Sequence, residues 1–274
     1  MNNSEVELII NNLESEGFAI MKDVFSLDEC NKMVLALDEA EKNILQGNKI
    51  DLSYYFSNRN LQIYNVHYQL PKYFLNLISN QKIIRIMQDV LNDKIILSNF
   101  NASKSLKSSE KDYRIHIDSR KPNPNFNNTY QMVAIICLND FTANNGSTVI
   151  VPGSHKSGQD PRNKRFSDYN LLSINAKKGS VIFIPGQTWH DVGQNISGET
   201  RWGIIAYYSC WWIKPTYDFV NSCTEEIFNK LSYLQKELLG FNTRPPIDWS
   251  KRQKTITKIE DLPKKLKEAI LWDG

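Results

Sequence analysis

Cysteine is scarce in this chain of 274 residues: Cys30, Cys137, Cys210 and Cys223 stand far apart and none forms a C-x-x-C pair. That spacing excludes a framework of closely set disulfides and points to reduced thiols in a cytosol. An excess of one charge is also missing. Thirty-three basic against thirty acidic side chains leave +3, too small a surplus for the basic face of a dedicated nucleic-acid binder. Long apolar runs are absent too. The uncharged stretch from Met132 to Leu138 is far shorter than the roughly 20 residues a bilayer requires. The opening MNNSEVELIINNLESEG carries acidic residues and lacks the basic-then-apolar order of a secretion signal, so the expected location is cytoplasmic and no membrane partner is expected. With no internal repeat or low-complexity linker, and with 41% apolar residues to build a core, one domain is expected over 1–274.

What is present divides into three stretches. Over 1–90 the apolar residues recur at helical spacing, first from Ser4, then after an interruption at Gly17-Phe18-Ala19-Ile20. The second segment restarts at Ser26-Leu27-Asp28-Glu29 in capping-box form, so the chain opens helix, short strand, helix. Phe74, Leu75, Ile78, Ile83, Ile84 and Met87 predict one further helix from about Lys72 to Val90, as mainly helical support. Over 91–215 the texture changes to short β-prone runs, IILSNF, YRIHID, YQMVAIICL, STVIVP, SVIFIP and RWGIIAYYS, separated by turn residues, as in an antiparallel sandwich or barrel. KSLKSSEKD at 104–112 reads as a mobile loop at its border. Over 216–274 a helical stretch from Glu225 to Leu239 gives way to an irregular, basic extension containing KRQK and KKLK.

His116 and Asp118 are separated by one residue within YRIHID, and on a strand such positions project from the same face. His190, at the end of SVIFIPGQTWH, offers a third donor if the sheet closes. Two imidazoles and a carboxylate form the facial triad of iron(II) enzymes that activate oxygen, with positions left open for a keto acid and O2. Taken singly, each residue has a plainer reading: H-x-D as a polar pair in a loop, His190 as a satisfied strand-end histidine, Arg201 as a surface cation. Their joint order outweighs those readings. Arg201 follows His190 by eleven residues across the turn-rich GQNISGET and opens the next β run. Its fork of donors suits the far carboxylate of 2-oxoglutarate.

These residues resemble the phytanoyl-CoA dioxygenase family of iron(II)/2-oxoglutarate oxygenases. ESEGFAIMKDVFSLDEC resembles the family's opening, and His116-x-Asp118 its first metal motif. Asn145-Gly146 through Pro152-Gly153-Ser154-His155 resembles the family's N-G…P-G-S-H signature, and Trp189-His190 followed by Asn195 and Arg201 its closing motif. The resemblance implies a mostly β fold, a double-stranded β-helix or cupin-like jelly roll with flanking helices. It implies Fe(II) on His116, Asp118 and His190, 2-oxoglutarate on Arg201 with Thr148 and Gln131 beside it, and O2 as oxidant. His155 then belongs to a loop rather than to the metal.

The implied reaction is hydroxylation of a small molecule with release of succinate and CO2; desaturation, epimerisation and cyclisation share the same chemistry. A filled Asp118 disfavours halogenation, and Tyr207, where nucleic-acid demethylases carry a second arginine, disfavours that substrate. A cupin-like binding module without chemistry is the alternative of another class. Gly203 departs from the family, which often has a hydroxyl residue there. Arg120 and Lys121 are candidates for recognising an acidic group on the substrate, and His67 reads as a core residue.

Overall fold

The computed structural model describes residues 2–47, 52–108, 113–119, 121–161 and 169–243. Helix α1 (Asn3–Glu16) begins on a capping box between Asn2 and Glu5, and strand β1 (Ala19–Met21) follows. Helix α2 (Leu27–Leu45) starts on the Ser26/Glu29 capping box read from the sequence: the Glu29 amide donates to Ser26 Oγ, and the Ser26 amide to the Glu29 carboxylate. Strands β2 (Tyr54–Phe56) and β3 (Asn60–Ile63) come next, then helices α3 (Val66–Gln69) and α4 (Pro71–Phe74).

The single helix expected over 72–90 is broken. A 3-10 turn over Leu75–Ser79 ends at Asn80, whose side chain accepts from the amides of Lys82 and Ile83 and so starts α5 (Gln81–Leu91). An N-cap asparagine satisfies amide donors that a continuous helix would pair differently, so the apolar stripe is shared by two elements.

The β region comprises β4 (Ile95–Ser105), β5 (Gln131–Cys137), β6 (Thr148–Ile150), β7 (Leu172–Ser173), β8 (Val181–Pro185), β9 (His190–Val192) and β10 (Arg201–Cys210). Helices α6 (Phe219–Ser222), α7 (Glu225–Lys230) and α8 (Tyr233–Leu238) follow, so the predicted 225–239 helix is interrupted at Leu231-Ser232, where Ser232 and Gln235 form a new capping box. The KRQK and KKLK stretches and residues 109–112 of the expected loop lie outside the described residues; Lys104 and Ser105 of that loop belong to β4.

The strands form an antiparallel seven-stranded sheet of order β1-β8-β5-β10-β4-β3-β2 and a three-stranded sheet of order β7-β6-β9. The edge pair β2 and β3 was not foreseen, because YYF and NLQI are too short to show alternation.

Alternation along β5 and β10 makes two cores. Met132, Ala134 and Ile136, with Trp202, Ile204, Ala206 and Tyr208, pack among the helices. Val133, Ile135 and Cys137 turn the other way and meet Ile150 of the small sheet, so a second, smaller core lies between the sheets. None of the described helices is long and apolar enough to cross a membrane.

Candidate metal centre

His190 opens β9, whose register pairs it with Ile150 and pairs Thr148 with Val192. Opposed residues of an antiparallel pair share a face, so Thr148 and His190 look the same way. His116 and Asp118 are not on a regular strand, contrary to the expectation. Residues 113–119 meet β9 at one bridge, His116 opposite His190, with amide-to-carbonyl bonds of 3.0 Å in both directions. The chain then turns, and the amides of Asp118 and Ser119 both donate to the Gly186 carbonyl at 2.8 Å. Convergence of H-x-D therefore comes from two backbone anchors. A third lies just before it, where the Arg114 amide donates to the Asp191 carboxylate at 2.6 Å.

His116 Nε2 lies 3.7 Å from Asp118 Oδ1, and His190 Nε2 lies 3.2 Å from Asp118 Oδ2. The second approach lacks hydrogen-bond geometry, and Asp118 Oδ2 is buried with no hydrogen-bond partner. Each imidazole has its Nδ1 2.9 Å from the carbonyl two residues earlier, Arg114 for His116 and Thr188 for His190. A carbonyl can only accept, so Nδ1 carries a proton in both rings, and it is Nε2 that faces inward and offers a lone pair when the ring is neutral. The three donor atoms lie within 4.8 Å of one another, and this is the one such cluster among the described residues. Two neutral imidazoles, one carboxylate and an orphaned buried oxygen fit a divalent transition ion such as Fe(II).

Charge supports the same set. Burial works against an ionised Asp118, but His190, His116 and the Tyr207 hydroxyl outweigh it and hold the carboxyl below its ordinary value. Burial likewise opposes charge on His190, but Asp118 raises it to about 9, so at neutral pH its Nε2 holds a proton that a bound metal ion would displace to reach the neutral, ligating form. Burial and the neighbouring His190 hold His116 below the usual range. Tyr207, read from the sequence only as the absence of an arginine, faces this carboxylate.

Arg201 opens β10 in the large sheet, whereas β9 belongs to the small one. The expected hairpin neighbour of the metal strand instead reaches in from the opposite sheet. Its guanidinium is buried, donates to the Gly146 carbonyl and stacks 3.9 Å over the Phe141 ring. Its Nε has no partner, and no described carboxylate pairs with it. Burial lowers its pKa to about 10, which still leaves the cation at neutral pH. A buried charge that lacks its counter-ion is costly, and an anionic ligand would relieve it.

Gly203 acquires a reason here. A Cβ on it would lie 2.8 Å from Phe141 Cζ, so the missing hydroxyl is exchanged for an aromatic ring under the guanidinium.

The signature loops do structural work. Gly146 has φ +82°, and a Cβ there would collide with Ser105; the turn it allows presents the carbonyl that Arg201 takes. Asn145 holds that turn through the Thr142 amide and the Asp140 carbonyl, both at 2.8 Å. Ser154 accepts the Trp189 amide at 2.9 Å, which fixes the loop against the residue preceding His190. His155 Nε2 meets the Glu14 carbonyl at 3.0 Å, so this histidine ties the loop to α1. His67 is fully buried among the rings of Tyr68, Phe100 and Phe219, with neither nitrogen hydrogen-bonded.

A cavity of about 650 Å³ opens beside the triad, lined by His116, Asp118, Gln131, Tyr207 and residues beyond β10 including Trp212 and Lys214. Gln131 lies on the inner face of β5 with Val133. Arg120 lies outside the described residues, and Lys121 does not line the cavity.

Residues 13–203 match the model of the phytanoyl-CoA dioxygenase family. The chain belongs to that family. Dioxygenase af480 of Aspergillus fumigatus is 28% identical over 180 residues, 64% of this chain and 57% of that protein, so the chain spans little more than half of this curated relative. Among solved structures, HygX from Streptomyces hygroscopicus with nickel and 2-oxoglutarate bound has a TM-score of 0.61 at 15% identity, covering 78% of this chain and 89% of its own. The epimerase SnoN in complex with Fe3+, alpha ketoglutarate and nogalamycin RO has a TM-score of 0.60 at 18% identity, covering 82% and 92%. These likenesses show the fold, the jelly roll of this family.

Proposed function

We propose that the protein is an Fe(II)- and 2-oxoglutarate-dependent dioxygenase that hydroxylates an unactivated C–H bond of a small molecule in the cytoplasm. The observation that carries this is the convergence of His116, Asp118 and His190, each imidazole turned with Nε2 inward by a backbone carbonyl on Nδ1. The dioxygenase name of the af480 relative and the 2-oxoglutarate in the HygX and SnoN structures support the same reading.

His116, Asp118 and His190 would hold the iron, and Arg201 the far carboxylate of 2-oxoglutarate, with Thr148 and Gln131 lining its surroundings. Bound there, iron with 2-oxoglutarate and O2 would supply the oxidising power, with succinate and CO2 as the keto acid's products and one oxygen atom going to the substrate. Asp118 stays ionised because its neighbours favour the anion, and Tyr207 orients it. Phe141 and the Gly146 carbonyl hold the guanidinium in one plane before the ligand arrives. The apolar core between the sheets keeps water from that end of the barrel.

The test is succinate formation from 2-oxoglutarate by purified protein with and without Fe(II). Iron-dependent succinate is the expected result. Its absence, together with an absent metal-to-ligand absorption band on anaerobic addition of both components, would leave a binding module as the correct description.

A further inference from the structure

The cavity beside the triad has a chemical character of its own. Its aliphatic lining consists of Ile117 and Ile213; the other side chains are polar or aromatic. A long hydrocarbon chain would desolvate those polar groups without replacing their hydrogen bonds. Two of the walls are rings anchored at their polar ends. Trp212, 59% exposed, donates its indole N–H to Asp93 at 3.0 Å. Tyr130 donates its hydroxyl to the Lys121 carbonyl at 2.7 Å. Their centroids are 6.4 Å apart with planes inclined at 47°. An indole held in place while more than half exposed is apolar surface waiting for a flat partner.

Beside these rings stands Lys214, the one lysine or arginine among the described residues that line the cavity. Among the described residues it makes no ion pair or hydrogen bond. The buried Oδ1 of Asn99, on another wall, is also without a partner.

We infer that this cavity takes a ring-bearing small molecule with a carboxylate or similar oxyanion, the ring against Trp212 and Tyr130 and the anion on Lys214. Asn99 and Gln131 meet polar substituents of the ring, and the C–H nearest the triad is the one oxidised. This specificity rests on the oxygenase reading above and deepens it. Lys214 thereby takes the part that the sequence suggested for Arg120 and Lys121.

The experiment uses the full chain loaded anaerobically with Fe(II) and 2-oxoglutarate. Phenylacetate, indole-3-acetate and naphthoate are titrated alongside their neutral amides, followed by tryptophan fluorescence and by the perturbation of the metal-to-ligand band. Expected is saturable binding of at least one carboxylate, with its amide about tenfold weaker, as for loss of one charge-assisted contact. Lys214→Met should bring the carboxylate down to the amide's affinity, and Lys214→Arg should restore most of the difference. Equal binding of acid and amide, an unchanged Lys214→Met, or no binding by any of the three acids overturns the inference. In those cases an intact band in the wild-type protein shows that the iron and 2-oxoglutarate reading survives. If the band never forms, that reading falls and this one with it.

Discussion

The two faces of the seven-stranded sheet do different work with the same strands. On β10, Trp202, Ile204, Ala206 and Tyr208 face the helices, where they are almost completely buried in a continuous apolar core. The alternate residues Arg201, Gly203, Ile205 and Tyr207 face the small sheet. There the chain accepts a buried cation with an unpartnered nitrogen and a carboxylate oxygen with no hydrogen bond. One face is filled by apolar packing, and the other keeps charged groups unmet. Unpaired charges of that kind persist where a ligand is meant to meet them, and the apolar face supplies the stability that carries them.

The sharpest break of this comparison is on the reactive face. Asp118→Ala should lower iron-dependent succinate formation by roughly a thousandfold or more while Tm moves by only a few degrees; near-normal turnover would remove Asp118 from the metal. The mirror experiment is Ile204→Ala on the helix-facing side. It should cost about 2–5 kcal/mol in denaturant unfolding, yet leave the 2-oxoglutarate KM of the folded enzyme unchanged. A shifted KM would mean that the two faces are coupled.

Arg201→Met tests whether the unpaired cation is a cost to the free protein. It should raise the 2-oxoglutarate requirement by about a hundredfold and leave the ligand-free Tm unchanged or higher, with the stabilisation by 2-oxoglutarate lost. A large drop in ligand-free Tm would make Arg201 a structural residue first.

On the helix-facing side, His67 has a pH dependence whose sign can be worked out. Burial lowers its pKa to about 3 from an ordinary 6.5. The unfolded chain takes up a proton below 6.5 and the folded one does not, so stability is complete above that pH and falls as the pH drops toward 3. The slope approaches about 1.4 kcal/mol per pH unit. Between pH 7 and pH 5 the wild type should therefore lose about 2 kcal/mol more than His67→Phe in urea unfolding; parallel losses would show that His67 titrates freely. The smallest effect belongs to Phe141→Leu, which removes the ring under Arg201. A rise of about three- to fivefold in the 2-oxoglutarate KM is expected with kcat little changed, and an unaltered KM would leave Arg201 oriented by Gly146 alone.

Local patterns carried much of the architecture. Ser26 three residues before Glu29 marked the start of α2, and β-prone runs such as RWGIIAYYS set between turn residues marked strands, because caps and β propensity are short-range properties. Asn80 could have been read as an N-cap, but the apolar stripe running across it hid the break.

The candidate site was legible as a set of residues because its motif order is linear. H-x-D, the N-G and P-G-S-H loops, W-H and the arginine follow one another along the chain. The way those residues meet was not legible. H-x-D converges through the Gly186 carbonyl and the bridge to His190, not by strand alternation, and neither partner is near it in sequence. Gly203 looked like a loss until Phe141, sixty-two positions earlier in the numbering, was seen to occupy the space.

By itself, then, the sequence determined the donor types, the β core with its helical cover, and the family, since all of these rest on residue identity and local spacing. Which sheet carries Arg201, what lies beneath its guanidinium, and the placing of Tyr207, Trp212 and Lys214 around one cavity were decided by tertiary structure. Those are distances between segments far apart along the chain, set by how two sheets close on each other, and no local pattern encodes them.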